Sequence, residues 1–213
     1  FHLTNGNISY IFRVMEQTNT LEQLYAGKTI KHRESFGHLI EREVRPSNNQ
    51  VTGDHTTSLE HVKQEMPVYG TTDFRYPGLE IRYPEGDRIS QFEYHSYQVE
   101  KGKKKLPDLP ATFAGAEEAT TLRILLKDRY SDLILTLSYT IFHELSALTR
   151  HAEIENTGEE TFQLERLMSL SVDLPTDDYD FIHLHGAWAR EAHLERKPLM
   201  TGVQSVSSTR GAS

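Results

Sequence analysis

The sequence of 213 residues contains no cysteine. This absence excludes disulfides, thiolate metal sites and cysteine nucleophiles, and it favours a reducing, cytoplasmic compartment. Positive charge is also scarce, with 23 Lys and Arg against 31 Asp and Glu and a formal net charge of −8. Nucleic acids and anionic membranes need a cationic protein face, so neither is expected as a partner. No apolar run approaches the roughly 20 residues of a membrane-spanning helix.

Most of what the sequence does contain follows a period of two. The alternation is clearest in DLILTLSYTIFHE (132–144), and it recurs at 8–14, 79–83 and 161–174. On one face of the first run lie Leu133, Leu135, Leu137, Tyr139 and Ile141. Turn-forming residues separate such runs at 84–87, 127–132, 155–160 and 175–180. The pattern predicts an all-β fold, a large two-sheet antiparallel β-sandwich in which strands joined by short turns are neighbours.

Signals for helices are sparse. Thr57 and Glu60 have the spacing of a capping box ahead of Pro67, which predicts a short surface helix. The run NTLEQLYAGK (19–28) predicts a second short helical turn that closes at Gly27. We therefore expect one or two short helices beside the strands.

One long segment, residues 46–78, has little periodicity. Unstructured segments longer than about 15 residues in compact domains are usually disordered or functional. Tyr69, Phe74 and Tyr76 favour burial and so argue against disorder. We expect this long loop to serve function or to contact another domain or subunit.

Residue patterns alone give no catalytic centre. His183 and His185 share a face if they lie on a strand, but spacing implies no third metal ligand, so no metal is predicted. Glycoside hydrolysis needs two carboxyls placed across a sugar. Asp177, Asp178 and Asp180 offer carboxyls, yet three acids after a proline are the usual composition of a solvated turn.

The only tryptophan, Trp188, lies in HLHGAWARE (183–191). On a strand it would share a face with Gly186 and Arg190. One interpretation makes it a large core residue at a sheet or domain contact. The other makes it a ligand contact, because an indole face stacks against the C–H face of a sugar. The residues by themselves leave both open.

Three motifs carry a family resemblance. They are Tyr-Gly-x-x-Asp-Phe-Arg-x-Pro at 69–77, His-Gly-x-Trp-x-Arg-Glu at 185–191 and Ser-x-Arg-Gly-x-Ser at 208–213. In these motifs the chain resembles the bacterial α-galactosidases of glycoside hydrolase family 36. The resemblance implies that residues 1–213 form one N-terminal β-supersandwich domain of the galactose mutarotase-like type. A catalytic (β/α)₈ barrel, carrying both catalytic aspartates, is then expected after residue 213.

The resemblance also implies an activity. The whole protein would hydrolyse terminal α-galactosyl residues of melibiose- or raffinose-type oligosaccharides with retention, in the bacterial cytoplasm and without metal or cofactor. Residues 1–213 alone would be inactive.

The expected partners are its own barrel, the α-galactoside and further copies in a homotetramer, where the long loop helps to wall a neighbour's active site. Asp54 is the candidate in that loop for contact with a substrate hydroxyl or a pocket residue. Trp188 and Arg190 are candidates for the face toward the barrel and the rim of the sugar pocket. Arg75 and Arg210 are candidates for interdomain salt bridges.

Two other functions stay open. The chain could be a carbohydrate-binding module that holds sugar through Trp188 and the long loop. It could also be a mutarotase-like enzyme, since that class shares the supersandwich and uses a histidine and a glutamate. No mutarotase motif is matched.

Overall fold

The computed structural model describes residues 1–44, 49, 51–71 and 73–209. The chain divides into two compact units, Phe1–Asp173 and Leu174–Ser213. All strand pairs in the described residues are antiparallel, which confirms the predicted all-β class. The strands are β1 (His2–Thr4), β2 (Ile8–Val14), β3 (Leu21–Lys28), β4 (Leu79–Arg82), β5 (Phe92–Lys101), β6 (Ala119–Asp128), β7 (Leu133–Phe142), β8 (Leu148–Asn156), β9 (Gln163–Leu167), β10 (Asp180–Ala187) and β11 (Arg190–Pro198).

The first unit holds three sheets in its described part, where the sequence predicted two. Their orders are β1-β2-β3, β5-β6-β7-β8 and the pair β4-β9. All three contribute to one apolar core. Phe12 of β2 stacks on Tyr139 of β7 with ring centroids 4.9 Å apart, and Leu79 of β4 is completely buried. Burial of this shared apolar surface is the main force that holds the sheets together.

Strand β7 shows how alternation identifies a core face. The five apolar residues predicted to share a face are each at most 5% exposed. The opposite face of the strand carries Thr136, Ser138 and Thr140, which are also buried. Thr140 satisfies its hydroxyl through Thr121 of β6 at 2.8 Å. A central strand can therefore bury polar side chains, provided that a neighbouring strand supplies their hydrogen bonds.

Strand pairing departs from the expectation that short turns join neighbours. The turn at 127–132 does join the paired strands β6 and β7. The turn at 84–87 does not, because β4 pairs with the distant β9 and places Leu79 opposite Leu167. The alternating run 161–174 also stops being a strand after Leu167. Local composition predicts a chain reversal, whereas the pairing partner is chosen by long-range burial.

Both predicted helices are wrong. Residues 57–66 form turns that keep Ser58 and Leu59 buried, and the Thr57 hydroxyl donates to Asp54 at 2.6 Å. Residues 21–28 are strand β3, paired with β2. The helix found in the described residues is a 3₁₀ turn at Gly37–Leu39. Helix propensity is weak, and pairing with a buried strand overrides it.

The second unit is built on the hairpin of β10 and β11. Its register places His183 opposite Glu195 and His185 opposite His193. Leu184 is 49% exposed, so the apolar side chains of the hairpin are poorly covered in this chain. An isolated two-stranded hairpin is marginally stable in water. Among the helices of the described residues, none is long and apolar enough to cross a membrane.

Candidate functional site

Asp54 lies in the long loop with its carboxylate held by its neighbours. One oxygen accepts hydrogen bonds from the backbone N–H of Thr56 at 2.8 Å and from the Thr56 hydroxyl at 2.7 Å. The other accepts from the Thr57 hydroxyl at 2.6 Å. The bonds from Thr57 and then Thr56 lower the pKa of Asp54 to about 2. The group is therefore an ionised hydrogen-bond acceptor at neutral pH.

Asp54, Thr56 and Thr57 border a groove of about 260 Å³ in the first unit. Arg13 and Glu22 on β2 and β3 form part of its wall and pair at 2.5 Å. The other lining side chains are Met15, Gln17, Ile40, Glu41, Arg42 and Val62. A groove with this mixture of charged and hydroxyl groups suits a hydroxyl-rich ligand, because such a ligand needs both donors and acceptors.

Arg75 is fixed within the loop. Its Nε and Nη2 donate to the two oxygens of the buried Asp73 carboxylate at 3.0 and 2.9 Å. Nη2 also donates to the carbonyls of Leu59 and Val62 at 3.2 and 2.7 Å. Burial alone would lower the pKa of Arg75, but the bonds and attraction from Asp73 raise it. These hydrogen bonds hold the Arg75 side chain within the first unit. Its predicted salt bridge to another domain stays untested.

Glu65 anchors the same loop to the core and has no counterpart in the sequence predictions. Its side chain is completely buried, and it accepts hydrogen bonds from Tyr10 at 2.8 Å and Tyr139 at 2.7 Å. Arg150 donates to the Glu65 carbonyl at 2.7 Å. No local signal marks this residue, since a glutamate among polar residues ordinarily predicts an exposed position.

The aromatic residues of the loop are exposed in this chain, so they are not buried within it, and contact with another domain or subunit stays a prediction. Tyr69, Phe74 and Tyr76 are 43%, 61% and 69% exposed. Phe74 meets Tyr69 edge-on with centroids 6.2 Å apart, and the Arg166 guanidinium lies 4.0 Å from the centre of the Tyr76 ring. The loop is anchored instead through Leu59, Glu65 and Asp73, which leaves these rings on the surface.

Trp188 lies in the turn between β10 and β11 and is 90% exposed. It is not a core residue of this chain, and it does not share a strand face with Arg190, which begins β11. The strand ends early because the pairing is irregular between His185 and Ala187, and Ala189 has a φ of 62°. Contact of Trp188 with another domain or with sugar stays a prediction.

The remaining candidates form no centre in the described residues. The imidazoles of His183 and His185 lie 5.9 Å apart between ring centroids, and His183 Nε2 is 3.1 Å from a Glu195 oxygen. Over the residues that the structure describes, no three His, Asp or Glu side chains are placed to hold a metal ion. Arg210 lies outside the described residues. Asp180 pairs with Arg196 across the hairpin.

Comparison with known proteins identifies the family to which the chain belongs. A family model described as the glycosyl hydrolase family 36 N-terminal domain matches residues 19–213. All of the chain aligns at 41% identity with alpha-galactosidase AgaA of Geobacillus stearothermophilus and covers 29% of it.

Solved structures of alpha-galactosidases match the chain in fold. A crystal structure of an AgaA variant in complex with raffinose matches with a TM-score of 0.91 at 40% identity, covering 99% of this chain and 29% of that one. For the alpha-galactosidase from Lactobacillus brevis the TM-score is 0.91 at 36% identity, with 98% and 28% covered. The chain thus spans less than a third of the length of these relatives.

Proposed function

The chain belongs to glycoside hydrolase family 36 as an N-terminal domain, and from that premise we propose that the longer protein hydrolyses terminal α-galactosyl residues of melibiose- and raffinose-type oligosaccharides. The observation that supports this most is the match of the whole chain, in sequence and in fold, to alpha-galactosidases. The described residues hold no carboxylate pair that we can assign to catalysis. As the family resemblance implies, the catalytic aspartates are expected in a barrel that follows residue 213.

In the proposed reaction, one barrel carboxylate attacks the anomeric carbon while the second protonates the departing glycosidic oxygen. The second carboxylate then takes a proton from the water that hydrolyses the glycosyl-enzyme, and the anomeric configuration is retained. The present domain supplies no group to either step. Its role is to support the barrel and to shape the site.

The Asp54 groove is the proposed contribution of this domain to the sugar pocket. The lowered pKa keeps the Asp54 carboxylate ionised, and an ionised carboxylate is a strong acceptor for sugar hydroxyls. We place this groove at the active site of a neighbouring subunit in a homotetramer of the full enzyme, located in the bacterial cytoplasm.

The β10–β11 hairpin is the proposed docking element for the barrel. Ile182, Leu184 and Leu194 lie on one face by the alternation of the strands and are 53%, 49% and 67% exposed. With Trp188 at the tip they form apolar surface that a small hairpin cannot cover by itself. Arg190 and Arg210 stay predicted contacts with the barrel, Arg210 outside the described residues.

A sugar-binding module without catalysis is the second candidate, favoured by the exposure of Trp188. Binding of raffinose by the isolated 213-residue chain, measured by calorimetry, would support it.

The role of Asp54 can be tested in the full-length enzyme with a nitrophenyl α-galactoside and with raffinose. Asp54→Ala is expected to raise KM by about tenfold with kcat less affected, which is the effect of losing a hydrogen bond from a charged group to bound substrate. Asp178→Ala, in an exposed turn, is the matched control and should leave KM unchanged. An unchanged KM in Asp54→Ala would remove Asp54 from the pocket.

A further inference from the structure

The residues that follow Asp54 in the sequence fix its position. Residues 54–57 run directly into Ser58 and Leu59, which are 3% and 2% exposed. Leu59 is tied through its carbonyl to Arg75, and Arg75 is tied to Asp73. The groove wall therefore leads within a few residues to a buried charge cluster on the same loop.

Asp73 is the centre of that cluster. Its side chain is completely buried, and both carboxylate oxygens are used. One accepts from the backbone N–H and Nε of Arg75, each at 3.0 Å. The other accepts from Arg75 Nη2 at 2.9 Å and from Gln64 Nε2 at 2.5 Å. The hydrogen bonds of the Asp73 carboxylate thus join two chain segments, 59–64 and 73–75.

The segment 59–64 is fixed to the core at its far end. Glu65 accepts the hydroxyls of Tyr10 and Tyr139, and its N–H donates to the Leu21 carbonyl at 3.1 Å. Lys63 accepts through its carbonyl from the N–H of Gln23 at 2.7 Å. Residues 63–65 are therefore immobilised independently of Asp73. Gln64 Nε2 also donates directly to the Leu59 carbonyl, at 3.4 Å. What Asp73 adds is the second link, from Gln64 through Arg75 to the carbonyls of Leu59 and Val62, of which Val62 lines the groove.

We propose that Asp73, through Gln64 and Arg75, is a positioning residue for the Asp54 carboxylate in the sugar pocket of the full enzyme. This inference rests on the proposed function and goes beyond it, because Asp73 itself is buried and touches no substrate. This positioning role requires the negative charge of the Asp73 carboxylate. An asparagine at this position would turn an N–H toward donors from Gln64 or Arg75 and weaken the hold of Arg75 on the carbonyls of Leu59 and Val62.

The test is a double-mutant cycle in the full-length enzyme, with KM and kcat measured on raffinose. Asp73→Asn is expected to raise KM about as much as Asp54→Ala does, about tenfold, with a smaller change in kcat. The double variant Asp54→Ala with Asp73→Asn should be no worse than Asp54→Ala alone, because residues that act through one contact are not additive. Additive effects, or a fall in kcat at constant KM, would show that Asp73 only maintains the fold.

Arg75→Lys provides a second variant in case Asp73→Asn fails to fold. Lysine keeps the positive charge but cannot hold both carboxylate oxygens and two carbonyls. We expect it to raise KM in the same way, and to raise hydrogen exchange of the Thr56 and Thr57 amides while that of residues 133–142 is unchanged. Unchanged KM in a folded Arg75→Lys enzyme would overturn the inference.

The outcomes separate this inference from the function on which it rests. A full-length wild type that does not hydrolyse α-galactosides would refute the proposed function. An active wild type in which Asp54→Ala raises KM but neither Asp73→Asn nor Arg75→Lys does would refute the positioning role alone. An active wild type with no effect of Asp54→Ala would refute the pocket role of Asp54, and the positioning role with it.

Discussion

Replacing Glu65 by alanine is expected to destabilise the 213-residue chain by about 3–5 kcal/mol, which is the range for breaking a buried polar network and leaving a cavity. The hydroxyls of Tyr10 and Tyr139 both lose their acceptor in a region without solvent. The loop between β3 and β4 also loses its side-chain bonds to Tyr10 and Tyr139, while the backbone bonds of residues 63–65 to Leu21 and Gln23 remain. The measurement is urea unfolding followed by circular dichroism.

The control is Glu159→Ala, at an exposed position, which should change the free energy of unfolding by less than about 0.5 kcal/mol. A loss below about 1 kcal/mol for Glu65→Ala would mean that water replaces the carboxylate at little cost, and it would contradict the network described here.

The same residue gives the stability a pH dependence. Burial raises the pKa of Glu65 above its ordinary value of 4.5, with smaller opposing effects from Arg150 and the two tyrosines. The folded state thus favours the neutral carboxyl. The stability from this group is complete below the unfolded pKa and is lost as pH rises through the folded pKa. Glu65→Gln should remove this decline, so the unfolding free energies of variant and wild type should diverge less at low pH than at neutral pH.

Phe12→Ala is the second large effect, with an expected loss of about 3–5 kcal/mol in the free energy of unfolding. Phe12 is completely buried and stacks on both Phe1 and Tyr139, at centroid distances of 5.0 and 4.9 Å. Removing its ring opens a cavity between the three-stranded and four-stranded sheets. Denaturant unfolding measures the change.

Phe113→Ala is the matched control, since Phe113 is 61% exposed and contacts Lys105. Its loss should stay within about 1 kcal/mol. Similar losses for the two phenylalanines would contradict the position assigned to the core.

Hydrophobic alternation in the sequence is sufficient to predict several strands but not to predict how the strands pair. Strands β2, β4 and β7 follow from alternation, because one buried face per strand is a property of neighbouring residues. The pairing of β4 with β9 joins Glu80 to Arg166. It could not be predicted from turn composition, since nothing local to either strand identifies so distant a partner.

Some features of the candidate site could likewise be predicted from the sequence, and others could not. The sequence motifs indicated the family, whereas the predicted role of the long loop stays untested. Glu65 was missed because its burial depends on tyrosines from two different strands. The family resemblance predicts an interdomain salt bridge for Arg75, which stays untested, and the sequence pattern does not show that Arg75 pairs with Asp73 two residues before it. Trp188 was placed on a strand because one irregular pairing step cannot be read from alternation.

We propose that this domain supports and shapes an α-galactosidase whose chemistry lies outside it. The most direct measurement is nitrophenol release from a nitrophenyl α-galactoside by the 213-residue chain and by the same chain extended through the rest of its protein. Activity in the extended protein and none in the shorter chain is the predicted result. Activity in the shorter chain would contradict the claim, and activity in neither would refute the α-galactosidase assignment.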